Sequence, residues 1–261
     1  VKAFNAGDAA TILCGRSLPS RRLPMNLTNA TALVTGANRG IGRALVAALL
    51  DAGARRVYAG ARDPSGLGAG DPRIVPLRID VTDAASIATL PMAAADVTLL
   101  VNNAGVLDFG GPLEATDESL ARQFATNVYG PLHMARAFAP VIARNGGGGI
   151  VNLLSIVSLA SMPALAGYNA SKAAAWSMTQ SLRGSLAAKG IAVHGVFPGP
   201  VDTEMAAEIT FPKTSADEVA RAIVAGVAAG EEDIFPDPMS RQVYEGWKRD
   251  HKAVEKQFAA A

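Results

Sequence analysis

Thr35-Gly36-Ala37-Asn38-Arg39-Gly40-Ile41-Gly42 directly follows the apolar run Ala32-Leu33-Val34 and opens a second apolar stretch, repeating at helical spacing as far as Ala52. A strand that ends in a glycine turn and feeds a helix is the first unit of a β-α-β fold. Glycines let the backbone pass close to a pyrophosphate, whose charge is stabilised by amides at the helix amino terminus. The spacing of Gly36, Gly40 and Gly42 departs from the common G-x-G-x-x-G arrangement, so the strand and helix around them carry more weight than the glycines. Gly36, Asn38, Arg39, Gly40, Ile41 and Gly42 are the candidate phosphate-loop residues.

Outward from that turn, short apolar runs alternate with helical stretches, the pattern of a parallel sheet covered on both faces. Strands are expected at 32–35, 56–59, 74–79, 97–101, 149–154 and 191–196, and helices at 41–52, 120–144, 168–189 and 215–229. The fold class is α/β: a single Rossmann-like, doubly wound domain over residues 25–261. It has a parallel sheet of about seven strands, helices on both faces, and functional loops at the strands' carboxyl ends. Residues 1–24 are irregular, the chain opens on Val1, and Met25 stands just before the first strand. They are expected to be an upstream extension, a cloning scar or a misplaced start.

With 49% of 261 residues apolar and 18% charged, the chain has enough apolar side chain for a sizeable core. Its 24 basic and 23 acidic residues leave a net charge of +1. That balance gives no footprint for nucleic acid or an anionic membrane, and points to a small-molecule partner. The uncharged stretch 145–171 holds too many glycines and polar residues, with Pro163, to span a bilayer. Cys14 is the single cysteine. It excludes an intramolecular disulfide and any multi-cysteine metal site, and favours the cytoplasm. His133 and His194 have no partner spaced to share a metal.

The second strand runs into Tyr58-Ala59-Gly60-Ala61-Arg62-Asp63. A carboxylate at the strand end would accept from a ribose 2′-hydroxyl and repel a 2′-phosphate. Ala61 stands at that position with Arg62 beside it, and Arg39 in the glycine loop can approach the same phosphate from the other side. Either arginine alone reads as a solvated surface residue; together they favour NADP(H) over NAD(H). Asp63 is the competing element, because it could turn toward the ribose.

Tyr168-Asn169-Ala170-Ser171-Lys172 places tyrosine and lysine four apart, on one face of a helix. A phenol needs nearby positive charge to act near neutrality. The Lys172 ammonium and an oxidised nicotinamide would supply it, a lowering of roughly two to three units being worth about 3 to 4 kcal/mol. Many solvated helices carry such a pair, so its companions decide the reading. Ser155, ending the fifth strand, can hydrogen-bond a carbonyl oxygen beside Tyr168, or merely cap the strand as Ser158 and Ser161 would.

In order along the chain, the sequence resembles the short-chain dehydrogenase/reductase family. The glycine motif of Thr35 to Gly42 is followed by Asp80-Val81, then Asn102-Asn103-Ala104-Gly105, then Asn127, Ser155, and Tyr168 with Lys172. Pro198-Gly199 with Thr203 closes a match running from about Leu33 to Met205. The resemblance implies that Tyr168 protonates the carbonyl oxygen as hydride arrives from the nicotinamide. It implies that Lys172 lowers the tyrosine pKa and holds the nicotinamide ribose, Ser155 orients the carbonyl, and Asn127 anchors a proton-relaying water. Asp80 and Val81 would meet the adenine, while Asn103, Ala104 and Gly105 border the cofactor. Pro198, Gly199, Val201 and Thr203 would line the carboxamide side. It also implies a homodimer or homotetramer.

Beyond Met205 the match thins: Asp233-Ile234-Phe235-Pro236-Asp237-Pro238 and a charged helix stand where many members have a glycine-rich strand. Residues 231–261 are therefore the divergent segment, and 204–212 a small substrate lid. Val106, Leu107, Phe109, Ile156, Val157, Met162, Leu165 and Met205 are the candidate pocket. They suit a hydrophobic ketone or aldehyde, although Ile156 and Val157 could simply be core. Two alternatives share these residues. One is a 3-oxoacyl reductase, which needs a basic carrier-protein surface not evident here; the other is a non-catalytic dinucleotide sensor, which would be expected to have lost Tyr168 or Lys172.

Overall fold

The structure is a computed structural model that describes residues 24–260. The expected extension at 1–24 lies outside the described residues apart from Pro24. The elements run β1 (Thr31–Thr35), α1 (Gly40–Asp51), β2 (Arg56–Ala61), β3 (Ile74–Arg78), α2 (Ala84–Ala93), β4 (Leu99–Asn102) and α3 (Asp117–Phe124). A π turn (Ala125–Tyr129) then leads into α4 (Gly130–Arg144), β5 (Gly148–Leu153), α5 (Ala166–Leu186), β6 (Ile191–Val196), β7 (Val201–Asp202) and β8 (Thr214–Ser215). α6 (Ala216–Ala228), β9 (Asp233–Ile234), α7 (Pro238–Arg249) and α8 (His251–Ala259) follow.

The main sheet is parallel throughout, in the order β3-β2-β1-β4-β5-β6-β9. β1 and β4 are wholly buried, as apolar strands covered on both faces must be. On one face Leu45 and Leu49 of α1 and Val219 and Ile223 of α6 pack on Val34, Val101 and Val151. On the other, Ile87 of α2 and Met134, Phe138 and Ile142 of α4 pack on Leu33, Leu100 and Ile150. Strand order reverses between β1 and β4, which opens a crevice outside their carboxyl ends.

The fold departs from the sequence expectation in four places. The seventh strand, β9, is two residues long, pairing Asp233 with Gly195 and Ile234 with Val196; it is too short to show a period. α2 was not anticipated: only Ile87 and Leu90 of it are buried, Pro91 interrupts it, and its clearest signal is the cap, Asp83, accepting from Ala85 and Ser86 amides. The helix expected over 120–144 is α3 and α4 joined by the π turn, with Pro131 at the start of α4. The charged carboxyl-terminal helix is two helices, because Asp250 is extended (φ −154°) and caps α8 through the Ala253 amide.

Candidate active site

At the crevice, the Thr35 hydroxyl donates to the Val101 carbonyl (3.4 Å) and accepts the amides of Asn103 and Ala104, each at 3.0 Å. The Asn103 side-chain Nδ2 donates to the carbonyls of Thr35 (2.9 Å) and Gly36 (3.1 Å). These bonds pin the glycine turn to the end of β4. Gly36 sits at φ +65°, and a Cβ on Gly42 would stand 2.1 Å from the Gly36 oxygen, so the turn closes only with glycine there. α1 then starts with its amides uncovered by side chains: Arg39, the N-cap residue, makes no capping bond, and no acidic residue stands in the first turn. α2, α3, α6, α7 and α8 all carry a capping side chain. An uncapped helix end beside a pinned glycine turn is a fit for the pyrophosphate of a dinucleotide.

Ala61 is buried at the end of β2, and Arg62 and Asp63 beyond it are exposed. Asp63 Oδ1 accepts the Ser65 amide at 3.0 Å, and Ser65 holds the carboxyl below its usual range. That carboxylate is occupied with its own turn. Asp80 accepts from the Thr82 hydroxyl (2.6 Å) and amide (2.9 Å), which with the charges of Arg62 and Arg78 keep it ionised below the usual range. Val81 is buried beside it. The Arg39 guanidinium pairs with the Glu204 carboxylate, joining the glycine loop to the segment expected to form a lid. Both side chains are largely exposed.

The structure brings Asn127, Ser155, Tyr168 and Lys172 together. Lys172, 4% exposed, donates to the Leu153 carbonyl at 2.6 Å and sits 5.6 Å from the Tyr168 ring centre. A Cβ on Gly105 would lie 3.7 Å from Lys172 Nζ and 3.3 Å from Asn127 Oδ1, so these groups share one neighbourhood. The Ser155 hydroxyl accepts the Val157 amide at 3.3 Å and stands near enough to the Tyr168 phenol to lower its pKa. The Asn127 side chain exchanges two bonds with Val106, each 2.9 Å, and donates to Ser171 (3.0 Å). Ser171 in turn donates to the Tyr168 carbonyl at 2.8 Å. Asn127 lies in the π turn, and the residue four further on is Pro131, which has no N–H to donate to its backbone carbonyl.

Burial dominates the titration of this cluster. It pushes Tyr168 up to about 12, with Ser155 pulling the other way, and pushes Lys172 down to about 8. The expectation that Lys172 brings the phenol down is therefore not met in the protein by itself.

At the far side of the crevice, Pro198 accepts the Ile156 amide (3.1 Å), and the Gly199 amide donates to Asp237 (2.8 Å). Thr203 donates to the Val201 carbonyl (3.3 Å), and its methyl lies against Gly40. The pairing of β7 with β8 closes the base of the exposed segment 204–212. Of the candidate pocket residues, Ile156, Val157 and Leu165 are buried, whereas Val106, Leu107 and Met162 are half-buried. Phe109 and Met205 are open to solvent. A cavity of about 520 Å³ lined by Met25, Leu27, Ala48 and Val224 lies away from these groups. Sequence reasoning assigned no positioning role to Thr35, Ser171 or Asp237. The first two stand inside quoted motifs; Asp237 carried only the weak signal of an Asp-Pro helix start. Among the described residues no helix is long and apolar enough to cross a membrane, and no cluster of His, Cys, Asp and Glu could hold a metal ion.

Comparison with known proteins gives a consistent answer. The profile described as short chain dehydrogenase matches residues 30–213. Galactitol 2-dehydrogenase of Agrobacterium fabrum is 38% identical over 188 residues, covering 69% of this chain and 73% of its own. A short chain dehydrogenase from Burkholderia cenocepacia in complex with NADP superposes with a TM-score of 0.85 at 39% identity, covering 90% of this chain and 99% of its own. That share exceeds what residues 30–213 make up, so the likeness extends beyond them. A family member from Burkholderia phymatum in complex with NAD gives a TM-score of 0.78 at 27% identity, covering 89% and 96%.

Proposed function

The chain belongs to the short-chain dehydrogenase family, and we propose that it reduces a hydrophobic ketone or aldehyde to the alcohol with NADPH, reversibly. It is an oxidoreductase acting at CH–OH and C=O groups with a nicotinamide dinucleotide. The observation that carries the reading is the convergence of Ser155, Tyr168 and Lys172 at the carboxyl end of β5, opposite the uncapped start of α1. When bound, the reduced nicotinamide supplies the hydride. Ser155 orients the carbonyl oxygen, and Tyr168 delivers its proton to that oxygen as it gains negative charge. A phenol raised to about 12 stays protonated at neutral pH, the form reduction needs, and it is still more acidic than an alcohol. Lys172 remains largely charged below about 8, holding the nicotinamide ribose and steadying the phenolate left behind. The backbone carbonyl of Asn127 would seat a water through which Tyr168 is reprotonated by way of Lys172.

Gly36, Asn38, Arg39, Gly40, Ile41 and Gly42 would hold the pyrophosphate; Ala61, Arg62, Asp80 and Val81 the adenosine; and Asn103, Ala104 and Gly105 the span between. Pro198, Gly199, Val201 and Thr203 would line the carboxamide side. Preference for NADP(H) is supported by Arg62 beside a β2 end that offers no free carboxylate, since Asp63 is engaged by Ser65, and by Arg39 in the glycine loop. The apolar pocket is Val106, Leu107, Met162 and Met205, with Ile156, Val157 and Leu165 as its floor, and residues 204–212 as its lid. A polyol is the second reading, favoured by the galactitol dehydrogenase likeness. We place the enzyme in the cytoplasm as a homodimer or homotetramer: the lone cysteine argues for the first, the family resemblance for the second.

Tyr168→Phe tests the chemistry. The variant is expected to bind NADPH normally and to lose ketone reduction by roughly 1,000-fold or more, the scale of removing a general acid. Near wild-type turnover would end the assignment. A panel of ketones, aldehydes and polyols, followed by NADPH consumption or formation, decides between the substrate readings.

A further inference from the structure

We infer that Asp237, in the carboxyl-terminal segment, is a positioning residue for the cofactor: it holds the Pro198-Gly199 turn where the nicotinamide end would lie. The inference rests on the dinucleotide reading above. Asp237 is 1% exposed, and its partners are backbone amides on two different elements. Oδ2 accepts the Gly199 amide and Oδ1 accepts the Ser240 amide, each at 2.8 Å. The second bond caps α7, and the Asp237 amide returns to Ser240 Oγ at 3.1 Å, completing a capping box. The first bond leaves the cap and reaches the turn after β6. The same turn is held from the other side, where Pro198 accepts the amide of Ile156, the residue after Ser155. α7 itself lies against the turn Ile156–Ser158. Catalytic serine, carboxamide turn and carboxyl-terminal helix are thus one hydrogen-bonded unit, and Asp237 is its only carboxylate link among the described residues.

A carboxylate is the group this place requires. It accepts from two N–H groups approaching its two oxygens, whereas asparagine would present its own NH2 to one of them. Glutamate is one methylene too long for a buried site where Gly199 is already in close contact, a Cβ there falling 3.0 Å from Asp237 Oδ1. Removing the acceptor leaves a partly buried amide unpaired and lets the turn move.

The test is isothermal calorimetry on the whole chain with two probes, NADPH and 2′,5′-ADP, the latter lacking the nicotinamide half. For Asp237→Asn, Kd for NADPH is expected to rise about tenfold and Kd for 2′,5′-ADP to change by less than about twofold. Ser240→Ala loosens the cap but keeps the Gly199 bond, and should leave the ratio of the two Kd values within about twofold of wild type. Equal losses for both probes, or no loss for either, would overturn the inference. Wild-type protein that binds neither probe would instead overturn the dinucleotide reading, and the inference with it. If Asp237→Asn shows no cooperative melting, amide exchange in the wild type decides. Gly199 should be protected together with the Ser240 amide, and free exchange at Gly199 beside a protected Ser240 would overturn the proposal.

Discussion

Two of the helices that begin at the carboxyl edge of the sheet solve the same electrostatic problem in opposite ways. Each presents unpaired amides and the positive end of its dipole. α7 closes its end with the protein's own anion, Asp237, buried and shared with Gly199. α1 has no side-chain acceptor over its first turn; it has an arginine and a pinned glycine turn instead. The difference teaches where the molecule expects an external charge. A helix end sealed from within is scaffold, and one left open beside a turn too tight for any side chain is a receptor.

The comparison breaks most severely if the open end is closed. Gly42→Ala places a methyl 2.1 Å from the Gly36 oxygen, so the turn must shift. Cofactor affinity should fall on the order of 100-fold in calorimetry. An unchanged Kd would mean that α1 receives no phosphate.

Next in size is a pH effect, from the cation proposed to partner the bound ligand. Lys172 is depressed to about 8, so the free enzyme loses that charge as pH rises through about 8. kcat/KM for reduction should then decline toward a tenfold drop per pH unit, and Lys172→Met should abolish the inflection. The stability consequence has the opposite sign. Between about 8 and the ordinary value of 10.5 the unfolded chain holds a proton the folded one has released, so this site's contribution to stability rises with pH across that window. A melting temperature difference between wild type and Lys172→Met that is flat from pH 8 to 10 would contradict the burial of this ammonium.

A smaller change sharpens the receptor's specificity. Arg39→Ala should weaken NADPH by about tenfold and leave NADH within about twofold, while Glu204→Ala, freeing Arg39 from its ion pair, should shift the preference the other way. Equal losses for the two cofactors would remove Arg39 from 2′-phosphate recognition. Smallest is Ser240→Ala at the sealed end: a cap weakened by about 1 kcal/mol lowers Tm by about 2 to 4 °C. A larger fall in Tm would show that the cap is also holding the sheet.

What was legible in the sequence follows the same division. β1, α1, β4, β5 and β6 are apolar runs long enough to show their period, and their turns carry glycines at positions where no other residue fits. The candidate cluster was legible for a related reason: Tyr168 and Lys172 share a helix, and Ser155 follows a strand closely. β9, by contrast, is two residues whose pairing exists only because β6 is already there. α2 offered little apolar period, and the break at Ala125–Tyr129 depends on how α3 and α4 pack as well as on Pro131. The link from Asp237 to the turn was invisible because its partner Gly199 is 38 residues away, and no local pattern announces a backbone amide. The direction of the Tyr168 and Lys172 shifts was hidden as well, since desolvation is a property of the assembled interior.

The aromatic stack behind the Pro198-Gly199 turn gives the molecule an optical character. Phe197, immediately before Pro198, stacks on Phe235 at 4.9 Å, Phe235 on Tyr244 at 4.0 Å, and Trp176 meets both Phe197 (5.6 Å) and Trp247 (6.0 Å). The chain has two tryptophans, and both are in this group. Its intrinsic emission therefore arises from one place, beside the proposed nicotinamide position, and overlaps the absorption band of a reduced nicotinamide. Energy transfer from this pair to a bound reduced nicotinamide would make the unlabelled protein its own reporter of occupancy.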